Sequence, residues 1–72
     1  MSNNLWAVIC EGADGHWVVS QAPTDLAAAS AYRARHQRQT PTGRPALHVV
    51  SEADAKRLNR QPISVRPRHY RL

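Results

Sequence analysis

The run Leu5-Trp6-Ala7-Val8-Ile9-Cys10 has no charged or amide side chain at any position, and this constrains the fold more than any other stretch. Its β-branched and aromatic content suits a pleated strand. Successive strand side chains point to opposite faces, so Leu5, Ala7 and Ile9 share one side and Trp6, Val8 and Cys10 the other. A strand that is apolar on both sides is unusual for a sheet with one solvated face. Either a second layer or a partner must therefore cover what the first layer leaves bare.

The strand leads into Glu11-Gly12-Ala13-Asp14-Gly15, whose two glycines and Asp-Gly pair are turn chemistry. His16-Trp17-Val18-Val19-Ser20-Gln21 then returns as a second strand, giving a β-hairpin over residues 4–21. Pro23-Thr24-Asp25 opens a helix over residues 24–39, with Thr24 the expected N-cap and Asp25 complementing the positive helix end. Ala27, Ala28, Ala31, Tyr32 and Ala34 form its expected apolar stripe against the sheet. The last turn is polar on all sides and is expected to hold Arg35 and Arg38 in solvent.

Two prolines and a glycine make residues 40–45 a loop. Residues 46–50 read as a third strand. Ser51-Glu52-Ala53-Asp54 is a capping sequence for a short helix over residues 51–60, with Ala55 and Leu58 inward and Lys56, Arg57 and Arg60 outward. A strand over residues 63–66 follows, confined to an edge by Pro67, and residues 67–72 form a basic tail. The expectation is a single α+β domain over residues 1–72. It has a ββαβ core, a short second helix and a C-terminal edge strand, with the long helix packed on one face of an antiparallel sheet.

At 72 residues, with no Phe and much of its apolar content in alanine, the chain can build only a thin core. Homodimerisation or docking on a protein partner would help it fold. Cys10 is the only cysteine, which removes any intramolecular disulfide and fits a reducing compartment. Residues 1–4 lack a basic leader region, and no apolar run approaches the ~18 residues of a membrane span, so a cytoplasmic protein without a membrane contact is expected.

His16, His36, His48, His69 and Cys10 are scattered without metal-ligand spacing, and no metal or cofactor is expected. Cys10 lies in the most apolar strand, where cysteine behaves as an inert small hydrophobe. No phosphate-cradling glycine loop and no pair of carboxylates placed for acid–base work is found, so catalytic residues are not expected.

Charge is the functional signal. Ten Lys and Arg stand against five Asp and Glu, for a net charge of +5. Residues 1–20 contain Glu11, Asp14 and no Lys or Arg, whereas from Lys56 onward there are six cations and no acid. Nine of the ten cations are Arg, the residue suited to planar two-point contact with phosphate or carboxylate. This asymmetry points to an anionic partner, either nucleic acid or a nucleoprotein complex. Lys56, Arg57, Arg60, Arg66, Arg68 and Arg71 are the expected contacts, with Arg35 and Arg38 secondary. In Arg68-His69-Tyr70-Arg71, cations interleave with an aromatic able to stack on a base. No sequence-reading motif accompanies them, so binding should be led by electrostatics and shape.

The alternative is a protein-binding module with Trp6, Trp17 and Tyr70 as interface anchors. In size and layout the chain resembles small phage and mobile-element proteins that bind and disable a host machine, the anti-CRISPR class among them. That resemblance is one of architecture and spans no motif. It implies an inhibitor that engages a host protein through its hairpin or helix face.

Overall fold

In a computed structural model of the chain, the described residues are 4–40, 42, 45–68 and 70–71, the last two as backbone. The elements are β1 (Trp6–Glu11), β2 (Trp17–Thr24), α1 (Leu26–Arg38), β3 (Leu47–Ser51), α2 (Glu52–Leu58) and β4 (Tyr70–Arg71). This is the expected α+β class with the expected β-β-α-β-α order. Arg44 in the loop and His69 and Leu72 in the tail lie outside the described residues.

The hairpin closes as the sequence dictates. Gly12 N–H donates to the His16 carbonyl at 2.7 Å, and Asp14 Oδ1 accepts from His16 N–H at 3.1 Å. Gly15 adopts φ 82°, a left-handed conformation in which a side chain would cost about 1–2 kcal/mol.

All strand pairs are antiparallel, in the order β2-β1-β3-β4. β1 is therefore an interior strand, and Ala7, Val8 and Ile9 are each fully buried. Its two apolar faces feed two cores. Val8 joins Leu47, Val49 and Ala29 of α1, flanked by Trp6, Cys10 and Tyr32. Ala7 and Ile9 join Trp17, Val50 and the α2 residues Ala55 and Leu58, flanked by Ile63 and Val65. The second layer anticipated for the hairpin is thus α2 together with the segment after it.

Several local expectations are corrected. Asp25, not Thr24, caps α1: its Oδ1 accepts from Ala28 N–H at 2.7 Å, while Thr24 stays in β2 opposite Trp6. Of the expected stripe, Tyr32 packs against the sheet core, but the alanines face away from it. Ala29 is the one buried residue of α1, whereas Ala27, Ala28, Ala31 and Ala34 are exposed. Polar side chains explain this orientation. Arg33 Nε donates to the Leu47 carbonyl at 2.9 Å, and Gln37 Oε1 accepts from Leu47 N–H at 2.7 Å, so one helix face satisfies the backbone at the start of β3. Those directional bonds outweigh the small hydrophobic gain from burying methyl groups.

The strand expected at residues 63–66 is not formed there; the edge strand is β4, at Tyr70–Arg71. Residues 60–65 are held against the hairpin instead. Arg60 N–H binds the Trp17 carbonyl at 3.0 Å, Trp17 N–H binds the Gln61 carbonyl at 2.9 Å, and Ile63 N–H binds the Gly15 carbonyl at 3.0 Å. Val65 N–H turns back to the Pro62 carbonyl at 2.9 Å. The capping sequence at Ser51 does form, with its Oγ accepting from Asp54 N–H at 3.2 Å.

Trp17 is the largest fully buried side chain, and its Nε1 donates to the Val65 carbonyl at 2.7 Å. Trp17→Ala is expected to cost about 3–5 kcal/mol, a large part of the stability available to so small a domain. Urea denaturation should show the variant largely unfolded without denaturant. A midpoint close to that of the parent would contradict the central role of this indole.

Candidate functional site

The cations in the second half of the sequence are organised around one buried carboxylate. Asp54 lies in the first turn of α2 with its side chain 5% exposed. Its Oδ1 accepts from Arg57 Nε at 2.8 Å and lies 2.7 Å from Arg57 Nη2. Its Oδ2 accepts from the backbone N–H of Arg68 at 2.9 Å. Arg57 Nη2 also donates to the Arg66 carbonyl at 2.9 Å. A buried carboxylate is tolerable only when paired and hydrogen-bonded, and here both oxygens are used. The pair fastens the C-terminal segment through its backbone at residues 66 and 68, leaving the Arg66 and Arg68 residues exposed.

This divides the expected contact residues. Lys56, Arg60, Arg66 and Arg68 are exposed on the α2 side of the sheet, and the Lys56 side chain is 78% exposed. Arg57 is committed to Asp54 and Arg66 and acts as a positioning residue rather than a free cation. Arg35 and Arg38 are exposed, as expected, but they belong to α1 on the opposite side of the sheet. The cations therefore do not merge into one surface. Arg33, absent from the expected contacts, is engaged with Leu47. Tyr70 and Arg71 pair with Val50 and Val49 through their backbones, and their side chains lie outside the described part.

Arg60 has a further distinction. It follows the α2 C-cap at φ 66°, the only non-glycine with positive φ among the described residues. This is the position where glycine usually ends a helix, and an arginine there carries backbone strain of about 1–2 kcal/mol.

Arg66 also enters an open groove of about 790 Å³ at the hairpin end, shared with Glu11, Gly12 and His48. Its guanidinium carbon lies 5.7 Å from the Trp17 ring centroid, and Nη1 donates to the Ile63 carbonyl at 3.2 Å. His48 meets Trp17 edge-on, with ring centroids 5.6 Å apart. Burial, followed by the positive charges of Arg66 and Arg33, pushes the His48 imidazole below the ordinary histidine range, against a smaller opposing effect of Glu11.

The proposed protein anchors fare differently. Trp17 is unavailable at the surface, and Trp6 is partly buried beside the Val8 core. Burial, then the neighbouring Glu11, pushes the Cys10 thiol up and away from the reactive thiolate form. Among the described residues, no three His, Cys, Asp or Glu side chains converge as a metal-binding group, and no helix is long and apolar enough to cross a membrane. No protein-family model matches the chain, and no curated protein or solved structure shows significant similarity to it.

Two outcomes follow from this geometry. Asp54→Ala should cost about 1.5–3 kcal/mol, the range for hydrogen bonds to charged groups, and should speed exchange of the Arg68 amide, which Asp54 Oδ2 holds, ahead of the sheet. Exchange there unchanged from the parent would show that the clamp is dispensable. His48 titrates lower in the folded chain than when unfolded, so its contribution to stability is present above about pH 6.5 and is lost as pH falls through that value. His48→Gln should therefore be less sensitive than the parent to acidification over that window in urea melts, and equal sensitivity would contradict the assignment.

Proposed function

We propose that the chain is a non-enzymatic binding module that docks on an anionic macromolecule, nucleic acid or a nucleoprotein complex, through Lys56, Arg60, Arg66 and Arg68. The observation that carries this reading is the Asp54–Arg57 pair. It uses one buried carboxylate and one arginine to hold the backbone of residues 66 and 68, while the two arginines at those positions remain in solvent. The strain at Arg60 adds support, because a cation occupies a position that the backbone alone would give to glycine. Arg35 and Arg38 serve as a separate, secondary patch on the other side.

Recognition of this kind reads charge and groove shape rather than base sequence. The competing reading, an inhibitor that binds a host protein by its hairpin or helix face, loses Trp17 as an anchor. It keeps the exposed Val18 and Val19 of β2.

A random-sequence DNA duplex tests the proposal. Four phosphate contacts imply a fall in affinity on the order of 100-fold between about 50 and about 200 mM salt. The double variant Arg66→Glu/Arg68→Glu should lower the salt slope by about two. Arg60→Gly should weaken binding while making the fold more stable by about 1 kcal/mol. Absence of duplex binding at the low-salt end, or unchanged binding in the double variant, would remove this reading.

A further inference from the structure

The groove at the hairpin end differs from the rest of the cationic face because its lining holds one charge of each sign. It measures about 790 Å³, within the ~300–1,000 Å³ typical of small-ligand sites, and its lining includes Glu11, Pro45, Ala46, His48 and Arg66. Strand register explains the grouping. Glu11 is opposite Trp17 and Ile9 is opposite His48, and paired residues of antiparallel strands share a face. Glu11, Trp17 and His48 therefore stand on the α2 side, where the Arg66 guanidinium carbon lies 5.7 Å from the Trp17 ring centroid. Among the described residues, neither Glu11 nor Arg66 takes part in an ion pair. Arg66 gives Nη1 to the Ile63 carbonyl at 3.2 Å, which steadies the guanidinium and leaves it donors for an outside acceptor. His48 lies close enough to feel both charges and is held toward its neutral form, by burial first and then by Arg66 and Arg33. The lining thus adds an uncharged aromatic ring to a carboxylate and a guanidinium.

We propose that this groove takes an unpaired base of a single-stranded nucleic acid, with the nucleotide's phosphate on Arg66 and its exocyclic amino group donating to the Glu11 carboxylate. This rests on the reading of the α2 side as a phosphate-binding face. Arg66 belongs to both, so a phosphate bound there brings its own nucleoside to the groove. The two charges choose the occupant. Glu11 repels a second phosphate or an acidic peptide, whereas a nucleotide of cytosine, adenine or guanine brings one anion and one neutral amino donor. Pro45, Ala46 and the His48 ring supply the apolar and aromatic surface that a base covers. Thymine and uracil carry a carbonyl where cytosine carries its amino group, and would face the carboxylate without a hydrogen bond. In a duplex the base is stacked and its amino group paired, so the contact belongs to single strands.

The test uses the full chain and labelled oligodeoxycytidine and oligodeoxythymidine of about twelve nucleotides, beside a random-sequence duplex, followed by fluorescence anisotropy at about 50 mM salt. The cytidine strand should bind about fivefold to tenfold more tightly than the thymidine strand. Oligocytidine and oligouridine should keep the same order, because the contact is to the base edge, and a reversed order would count against it. Glu11→Ala should bring the ratio to within about twofold, while loss of the negative charge strengthens binding of both strands. Glu11→Gln, of nearly the same shape, should also narrow the ratio, because its amide can donate to the thymine O4. Equal affinity for the two strands, no binding of either, or a cytidine preference unchanged in Glu11→Ala would overturn the inference. Duplex binding retained with equal strand affinities sinks the groove contact and spares the phosphate-binding face. A Glu11-dependent cytidine preference without duplex binding does the reverse, so the two ideas fail separately.

Discussion

The indole of Trp17 gives its single N–H to the Val65 carbonyl at 2.7 Å, and the peptide groups of the same residue bind Arg60 and Gln61 on the outer side of β2. One side chain thereby joins the hairpin to a segment more than forty residues later in the sequence. The ring fills the core beneath α2, meets His48 edge-on and lies near the Arg66 guanidinium. Because the core is small, this one aromatic contributes a large share of the apolar area that closes the sheet face. The placement of the C-terminal arginines follows from it, since Val65 is anchored immediately before Arg66.

Asp54 completes that placement from the other direction. The two anchors, an apolar ring at residue 17 and a carboxylate at residue 54, bracket residues 65–68. Each uses backbone groups of the segment, which leaves Arg66 and Arg68 exposed, with Arg66 also bonded to the Ile63 carbonyl. Sequence charge alone treats Arg57, Arg66 and Arg68 as equivalent, but the fold gives them different tasks. Likewise, α1 and α2 lie on opposite sides of the sheet, so the chain's excess positive charge is shared between two surfaces.

Much of this architecture was legible in the sequence. The unbroken apolar run of β1 announced a buried strand and a covering on both sides, the glycines of residues 12–15 located the hairpin, and Ser51 located the start of α2. The N-cap of α1 was missed by one residue because Thr24 and Asp25 are both competent caps, and strand pairing with Trp6 decided between them. The facing of α1 was only partly legible: Tyr32 lies inward as expected, but the alanines of the stripe are exposed, for a physical reason. Alanine periodicity carries little free energy, whereas Arg33 and Gln37 find directional partners on Leu47 that no local pattern reveals. The edge strand was misplaced because residues 60–65 make their bonds to a hairpin far away in sequence. For the candidate site, residue type was legible and exposure was not: nothing local distinguishes the clamping Arg57 from the exposed Arg60.

The sheet edges carry a consequence for how the molecule behaves in company. β2 is interrupted by register shifts opposite Val8, contains Pro23, and has its first residues already occupied by residues 60–63. Toward the far side, Leu47 of β3 is satisfied by α1 side chains, and Val49 and Val50 pair with β4, the two-residue strand at that edge. Among the described residues, neither border offers a long, straight row of vacant peptide groups, which is what templated strand addition requires. The described borders thus give a further strand little to pair with, and the surfaces this fold turns outward are chiefly those of its side chains.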